Sequence, residues 1–111
     1  MRVLLDECVP KKFGRALPGH AVRTVPQEGW SGKKNGALLA LMSAAGFEVL
    51  LTVDQSVRHQ QNLTAAGVAV VVMVAVTNDV VDLLPLAPGV LAALATIQPG
   101  DAIDVRLPPS P

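Results

Sequence analysis

Short apolar runs alternate with amphipathic stretches along the whole chain. Arg2-Val3-Leu4-Leu5 is the first run, and residues 21–25, 48–53, 68–76 and 102–107 are the others. The Val- and Leu-rich runs at 3–5 and 49–53, which lack a polar alternation, read as strands buried on both faces of a parallel sheet, and the others as further strands. The run at 68–76 has the highest β-branched content and is expected to be the most buried. Residues 9–17 read as a helix, with Pro10 in its first turn and Pro18-Gly19 as its stop. Phe13 and Leu17 share one face of it, and Lys11 and Arg15, four apart, share another. A second helix is predicted over 34–45 from the spacing of Leu38, Leu41, Met42 and Ala45, with Gly46 as its C-terminal cap. A third covers 56–66 and closes at Gly67. The last starts after Asn78 as N-cap, breaks near Pro85 and Pro88, and resumes to residue 97.

The order βαβαβαβαβ predicts an α/β fold. Right-handed crossovers then give a three-layer α/β/α sandwich around a mainly parallel five-stranded sheet. Residues 1–107 are expected to form one domain, with a flexible Pro-rich tail at 108–111. Two strand orders fit the pattern. In the order 2-1-3-4-5, strands one and three are neighbours at the topological switch point, where α/β sheets bind ligands. In the order 3-2-1-4-5 they are separated. The first is preferred, because it brings the acidic residues described below to one crevice.

Half of the 111 residues are hydrophobic, enough for a core without staples. A single cysteine, Cys8, excludes an internal disulfide and fits a reducing compartment. It reads as a small buried residue. The richest apolar stretch is too short to span a bilayer as a helix, and Met1-Arg2 leads straight into a strand without an apolar leader. The expected location is cytoplasmic, with no membrane partner. The net charge is zero, which argues against a large nonspecific grip on nucleic acid. The distribution is uneven, however. Residues 1–60 hold eight of the nine Lys and Arg against five acids, so a local attraction for a polyanion survives in that half.

The candidate chemistry lies at the strand ends. The first run leads directly into Asp6-Glu7, and Val49-Leu50-Leu51-Thr52-Val53 leads directly into Asp54. Carboxylates gathered at one crevice repel each other, and a divalent cation such as Mg²⁺ relieves that repulsion while keeping several waters. Such a metal can orient a water and stabilise a phosphoryl transition state. Side chains alternate along a strand, so Asp6 and Glu7 need not point the same way. The loop at 26–33 leads through Gly29-Trp30-Ser31-Gly32-Lys33 into Lys34-Asn35-Gly36. Lysines beside a helix N-terminus can hold a phosphate. Trp30 offers either a stacking surface for a base or a lid on the core. Gln60-Gln61-Asn62 could hydrogen-bond ribose or bases, and Arg58 lies just before them. Asn35 suits either a helix cap or a site role. His20, after Pro18-Gly19, reads as a turn residue. No zinc spacing, P-loop or dinucleotide fingerprint is present.

Leu4-Leu5-Asp6-Glu7, Gly19-His20-Ala21-Val22-Arg23-Thr24-Val25, Gly29 to Gly36, Leu51-Thr52-Val53-Asp54 and Gln60-Gln61-Asn62-Leu63 together resemble the bacterial PIN-like proteins of the DUF5615 family. The likeness runs in order through roughly residues 1–75. It implies a PIN-like α/β/α sandwich whose acids hold Mg²⁺ or Mn²⁺. It also implies RNA cleavage, often as the toxin of a toxin–antitoxin pair, with an antitoxin protein as partner. By this likeness Asp6 matches the first-strand acid and Asp54 the acid of the Thr-x-Asp motif. Where relatives commonly read Asn-Gly-Glu-Leu, this chain reads Asn35-Gly36-Ala37-Leu38. Glu7 and Glu28 are the candidate replacements for the missing helix acid. The resemblance thus implies a metal-dependent ribonuclease with Asp6 and Asp54 at the metal; in this reading Glu7 assists at the metal, and Lys33, Lys34 and Arg58 would steer the RNA. The departure at Ala37 supports an alternative, a PIN-like domain that binds RNA or protein without catalysis.

A receiver-like phosphoacceptor domain is a third reading. It also has acids after strand one and an aspartate after strand three, and Thr77 suits its switch hydroxyl. It lacks the expected lysine after the last strand. The Leu/Val-rich last helix would suit a homodimer, although a core face is the simpler explanation.

Overall fold

The computed structural model describes residues 1–33, 35–59 and 63–107. Five strands form one all-parallel sheet: β1 (Arg2–Leu5), β2 (Ala21–Thr24), β3 (Val49–Thr52), β4 (Ala69–Met73) and β5 (Ala102–Val105). The order is β2-β1-β3-β4-β5, the preferred of the two arrangements read from the sequence. Leu5 lies in register with Thr24 on one side and Leu51 on the other. The Asp6 N–H donates to the Leu51 carbonyl at 3.0 Å, carrying the β1–β3 ladder one step past the strand. That register sets the carboxyl ends of β1 and β3 side by side.

Alternation along the strands separates two hydrophobic clusters. Val3, Leu5, Val49, Leu51, Val71 and Met73 join Phe13, Leu83, Val90 and Leu94. Leu4, Leu50, Val70 and Val72 join Leu38, Leu39, Met42, Val57 and Leu63. The central strands are apolar throughout because each of their faces is covered by helix residues. Burying one such Leu or Val contributes roughly 1.5–3 kcal/mol. The fold is compact, with a radius of gyration of 12.8 Å.

The helical segments are shorter than the periodicity predicts. Residues 9–17 form only a 3₁₀ helix, Lys11–Ala16, whose inward contact is the fully buried Phe13. Gly14 is the reason for this close seating, since a β-carbon there would stand 3.1 Å from Val22 Cγ1. The second helix is α1 (Asn35–Ala44), and it buries Leu38, Leu39 and Met42, while Leu41 is half-buried and Ala45 exposed. Its inner stripe is thus turned by about one residue from the predicted one. Gly46 closes it at φ +85°. Arg2 Nη1 donates to the Ala45 carbonyl at 2.5 Å, with the guanidinium 4.6 Å from the Phe47 ring centre, a cation at a helix C-terminus.

The predicted 56–66 helix is instead a 3₁₀ helix, Gln55–His59, followed by α2 (Leu63–Ala66). After β4, which ends at Met73 rather than residue 76, come α3 (Val80–Leu83), a 3₁₀ turn at Leu84–Leu86 that accommodates Pro85, and α4 (Ala87–Thr96). Asp79, not Asn78, occupies the N-cap position of α3; Asn78 Nδ2 donates instead to the Cys8 carbonyl at 3.0 Å. Val90 and Leu94 direct the apolar face of α4 into the core. Among the described residues no helix is long and apolar enough to cross a membrane.

Candidate acidic site at the ends of β1 and β3

Thr52 is the last residue of β3 and is fully buried. Its Oγ1 donates to Asp6 Oδ2 at 2.7 Å and accepts the Asp54 N–H at 3.0 Å. One hydroxyl therefore joins the two aspartates that the sequence singles out. A buried hydroxyl needs such partners, because leaving it unpaired costs about 1–3 kcal/mol. Asp6 is half-buried, and its Oδ1 accepts the Glu7 N–H at 2.8 Å. The Cys8 thiol lies 3.5 Å from Thr52 Oγ1 and 3.8 Å from Asp6 Oδ2, on the inner side of the same cluster.

Asp54 is exposed and also caps the following 3₁₀ helix. Its Oδ1 accepts both the N–H of Ser56, at 2.9 Å, and the Ser56 hydroxyl, at 2.7 Å. Asp54 Oδ2 makes no hydrogen bond among the described residues and is open to a ligand. Asp6 is thus a fixed, partly sheltered carboxylate, and Asp54 a half-engaged one at the surface.

Glu7 turns the other way. Its Oε1 accepts the Gly32 N–H, tying the glycine loop to the end of β1. Gly29 and Gly32, at φ +77° and +80°, allow the loop to make this turn. Lys33 is exposed at the end of that loop, and its N–H donates to the Trp30 carbonyl at 3.1 Å. Trp30 is half-buried and meets Phe47 edge-on, ring centres 6.0 Å apart, which makes it a lid over the cluster of Leu38 and Met42. Glu28 pairs with Arg23 at 3.1 Å, beside β2. Ala37 lies exposed in the first turns of α1.

The backbones of Asn35 and Arg58 lie in α1 and in the Gln55–His59 helix, and their side chains are outside the description. Lys34, Gln60, Gln61 and Asn62 lie outside the described residues. Sequence reasoning identified both aspartates but gave Thr52 and Ser56 no role. The available signal was Thr52 itself, a polar residue closing an aliphatic run, and Ser56 two residues after an aspartate.

Among the described residues no three or more His, Cys, Asp or Glu side chains gather as a metal site. Thr52 holds the Asp6 carboxylate and the Asp54 backbone N–H, and the Asp54 carboxylate has an open oxygen. Mg²⁺ is commonly held by one or two carboxylates and otherwise keeps its waters, so this donor set fits such an ion. The receiver-like arrangement fits less well. Thr77 Oγ1 donates to Asp82 at 2.5 Å and accepts the Asp79 N–H, and the residue after β5, Arg106, pairs with Asp104. No family model, curated protein or solved structure matches the chain.

Proposed function

We propose that this chain is a PIN-like, three-layer α/β/α ribonuclease that hydrolyses RNA with Mg²⁺ or Mn²⁺ held by Asp6 and Asp54. The observation that carries the reading is the Thr52 hydroxyl joined to both aspartates at the carboxyl edge of adjacent parallel strands. When bound, the cation supplies charge neutralisation for the phosphodiester and a more acidic water. Asp6, restrained by Thr52 and the Glu7 N–H, keeps its carboxylate in one orientation. Asp54 uses Oδ1 for Ser56 and keeps Oδ2 open for the cation. Glu7 assists by fixing the loop that presents Lys33, a steering charge for RNA together with Lys34 and Arg58. In a toxin–antitoxin pair, an antitoxin protein would cover this edge.

The test is cleavage of a labelled RNA in the presence of Mg²⁺ or Mn²⁺. Asp6→Asn and Asp54→Asn are each expected to lower the rate at least about 100-fold, the scale of losing a principal electrostatic or proton-transfer group. Cleavage unchanged in both variants rules out this mechanism. Among the described residues Thr52 bonds the Asp6 carboxylate and the Asp54 backbone N–H, and Ala37 brings no carboxylate from α1, which favours a second reading: the same surface binds RNA without cutting it. Retention of intact RNA with no turnover in either metal would select that reading.

A further inference from the structure

A second feature lies beside the edge strand β2. The 3₁₀ helix Lys11–Ala16 and the edge strand β2 enclose an open groove of about 550 Å³. Lys11, Lys12, Arg15, His20, Thr24 and Gln27 line it together with Leu5. All three cations are exposed, and none forms an ion pair among the described residues. No carboxylate lines the groove. A neutral chain that leaves three cations along one groove without a counter-charge has concentrated there an attraction for a polyanion.

The hydrogen-bonding pattern narrows the ligand. Gln27 Oε1 accepts the Thr24 N–H at 2.9 Å, and Thr24 Oγ1 accepts the Gln27 N–H at 3.1 Å. These two side-chain acceptors are therefore already engaged, which leaves the Gln27 amide nitrogen as a donor beside the Lys and Arg donors. A peptide laid in the groove would bring backbone N–H groups that need acceptors. A phosphodiester chain brings acceptors and negative charge at every step. Leu5, which lines the groove, directly precedes Asp6 in the sequence.

We propose that the groove between the Lys11–Ala16 helix and β2 is the backbone-binding track for single-stranded RNA, with Lys11, Lys12 and Arg15 contacting successive phosphates. This deepens the ribonuclease reading by naming a surface that would hold its substrate. The binding itself needs neither metal nor cleavage.

The test is fluorescence anisotropy of a labelled oligo-uridylate of about 20 nucleotides, in EDTA, with salt varied between about 50 and 200 mM. The wild-type chain is compared with a triple variant, Lys11→Gln, Lys12→Gln and Arg15→Gln, whose folding is checked by its thermal transition. Losing three phosphate contacts is expected to reduce the slope of log K against log salt by about 2, and to weaken binding at the lowest salt about 10-fold or more. A Lys11→Arg, Lys12→Arg variant keeps the charge and is expected to bind as wild type. An unchanged slope in the triple variant, no RNA binding by the wild type, or tighter binding of a poly-glutamate peptide than of RNA overturns the proposal. The two readings fail separately. RNA held through the groove but never cleaved with Mn²⁺ removes the ribonuclease and leaves the track. Cleavage with unaltered KM in the triple variant removes the track and leaves the ribonuclease.

Discussion

At the scale of single residues, the acidic site depends on a neutral one. Asp6 and Asp54 are recognisable in the sequence because each ends an aliphatic run. Thr52 is not, because a threonine closing a strand is ordinary β chemistry until its neighbours are known. Once buried, its hydroxyl must be satisfied, and the two aspartates satisfy it from both directions. Thr52→Val keeps the shape but removes both hydrogen bonds. It leaves the Asp54 N–H unpaired and takes a donor from a half-buried carboxylate. The expected loss is about 1–3 kcal/mol, a fall in Tm on the order of 5 °C or more. Thr52→Ser keeps the hydroxyl and loses only a methyl group, so its expected loss is about 1 kcal/mol. A thermal melt of the two variants separates the hydroxyl from the packing. Equal losses would mean that the bridge contributes nothing to stability.

At the scale of elements, the sequence announces where segments change but not how long they last. Periodicity assigns apolar residues to a helix without fixing which side faces inward. Leu39 and Leu41 are equally hydrophobic, and only the tertiary packing places Leu39 in the buried cluster that includes Phe47 and Val70. Gly14 likewise seats the Lys11–Ala16 helix close to β2, where an added β-carbon would stand 3.1 Å from Val22 Cγ1 and Val22 would have to give. The same kind of contact occurs between α4 and β5. A β-carbon at Gly89 would come within 2.7 Å of Val105 Cγ1. Helix propensity alone favours Gly89→Ala by about 1 kcal/mol. Val105 is β-branched with little rotamer freedom, and overpacking of this kind costs about 1–3 kcal/mol, so the clash should win. Gly89→Ala is expected to destabilise the protein in urea by about 1 kcal/mol net. In the Val105→Ala background the same change is expected to stabilise it, because the opposing methyl is gone. A destabilising effect in both backgrounds would show that Val105 is not the obstacle.

At the scale of the whole molecule, the alternation of elements was sufficient for a parallel α/β sheet but left two strand orders open. What decides between them is long-range. β1 carries Leu4 to one hydrophobic cluster and Val3 and Leu5 to the other, and β3 does the same with Leu50 and Leu51. Neither strand tolerates an edge position, whereas β2, with Ala21 and Arg23 exposed, does. The adjacency of β1 and β3 that unites Asp6 with Thr52 is thus a by-product of where apolar surface must go. This has a measurable consequence one step before the site. Leu50 and Leu51 are neighbours in sequence and both fully buried, yet they serve different clusters. Leu50→Val and Leu51→Val each delete one methylene, worth about 1 kcal/mol. Residues in contact usually couple, but these side chains point through opposite faces of the sheet and share no packing partners in either cluster. The double variant is therefore expected to lose the sum of the two single losses within about 0.5 kcal/mol in urea unfolding. A coupling of 1 kcal/mol or more would mean that the sheet transmits strain between its faces, and that the carboxyl edge carrying Asp6 and Asp54 responds to packing on both sides.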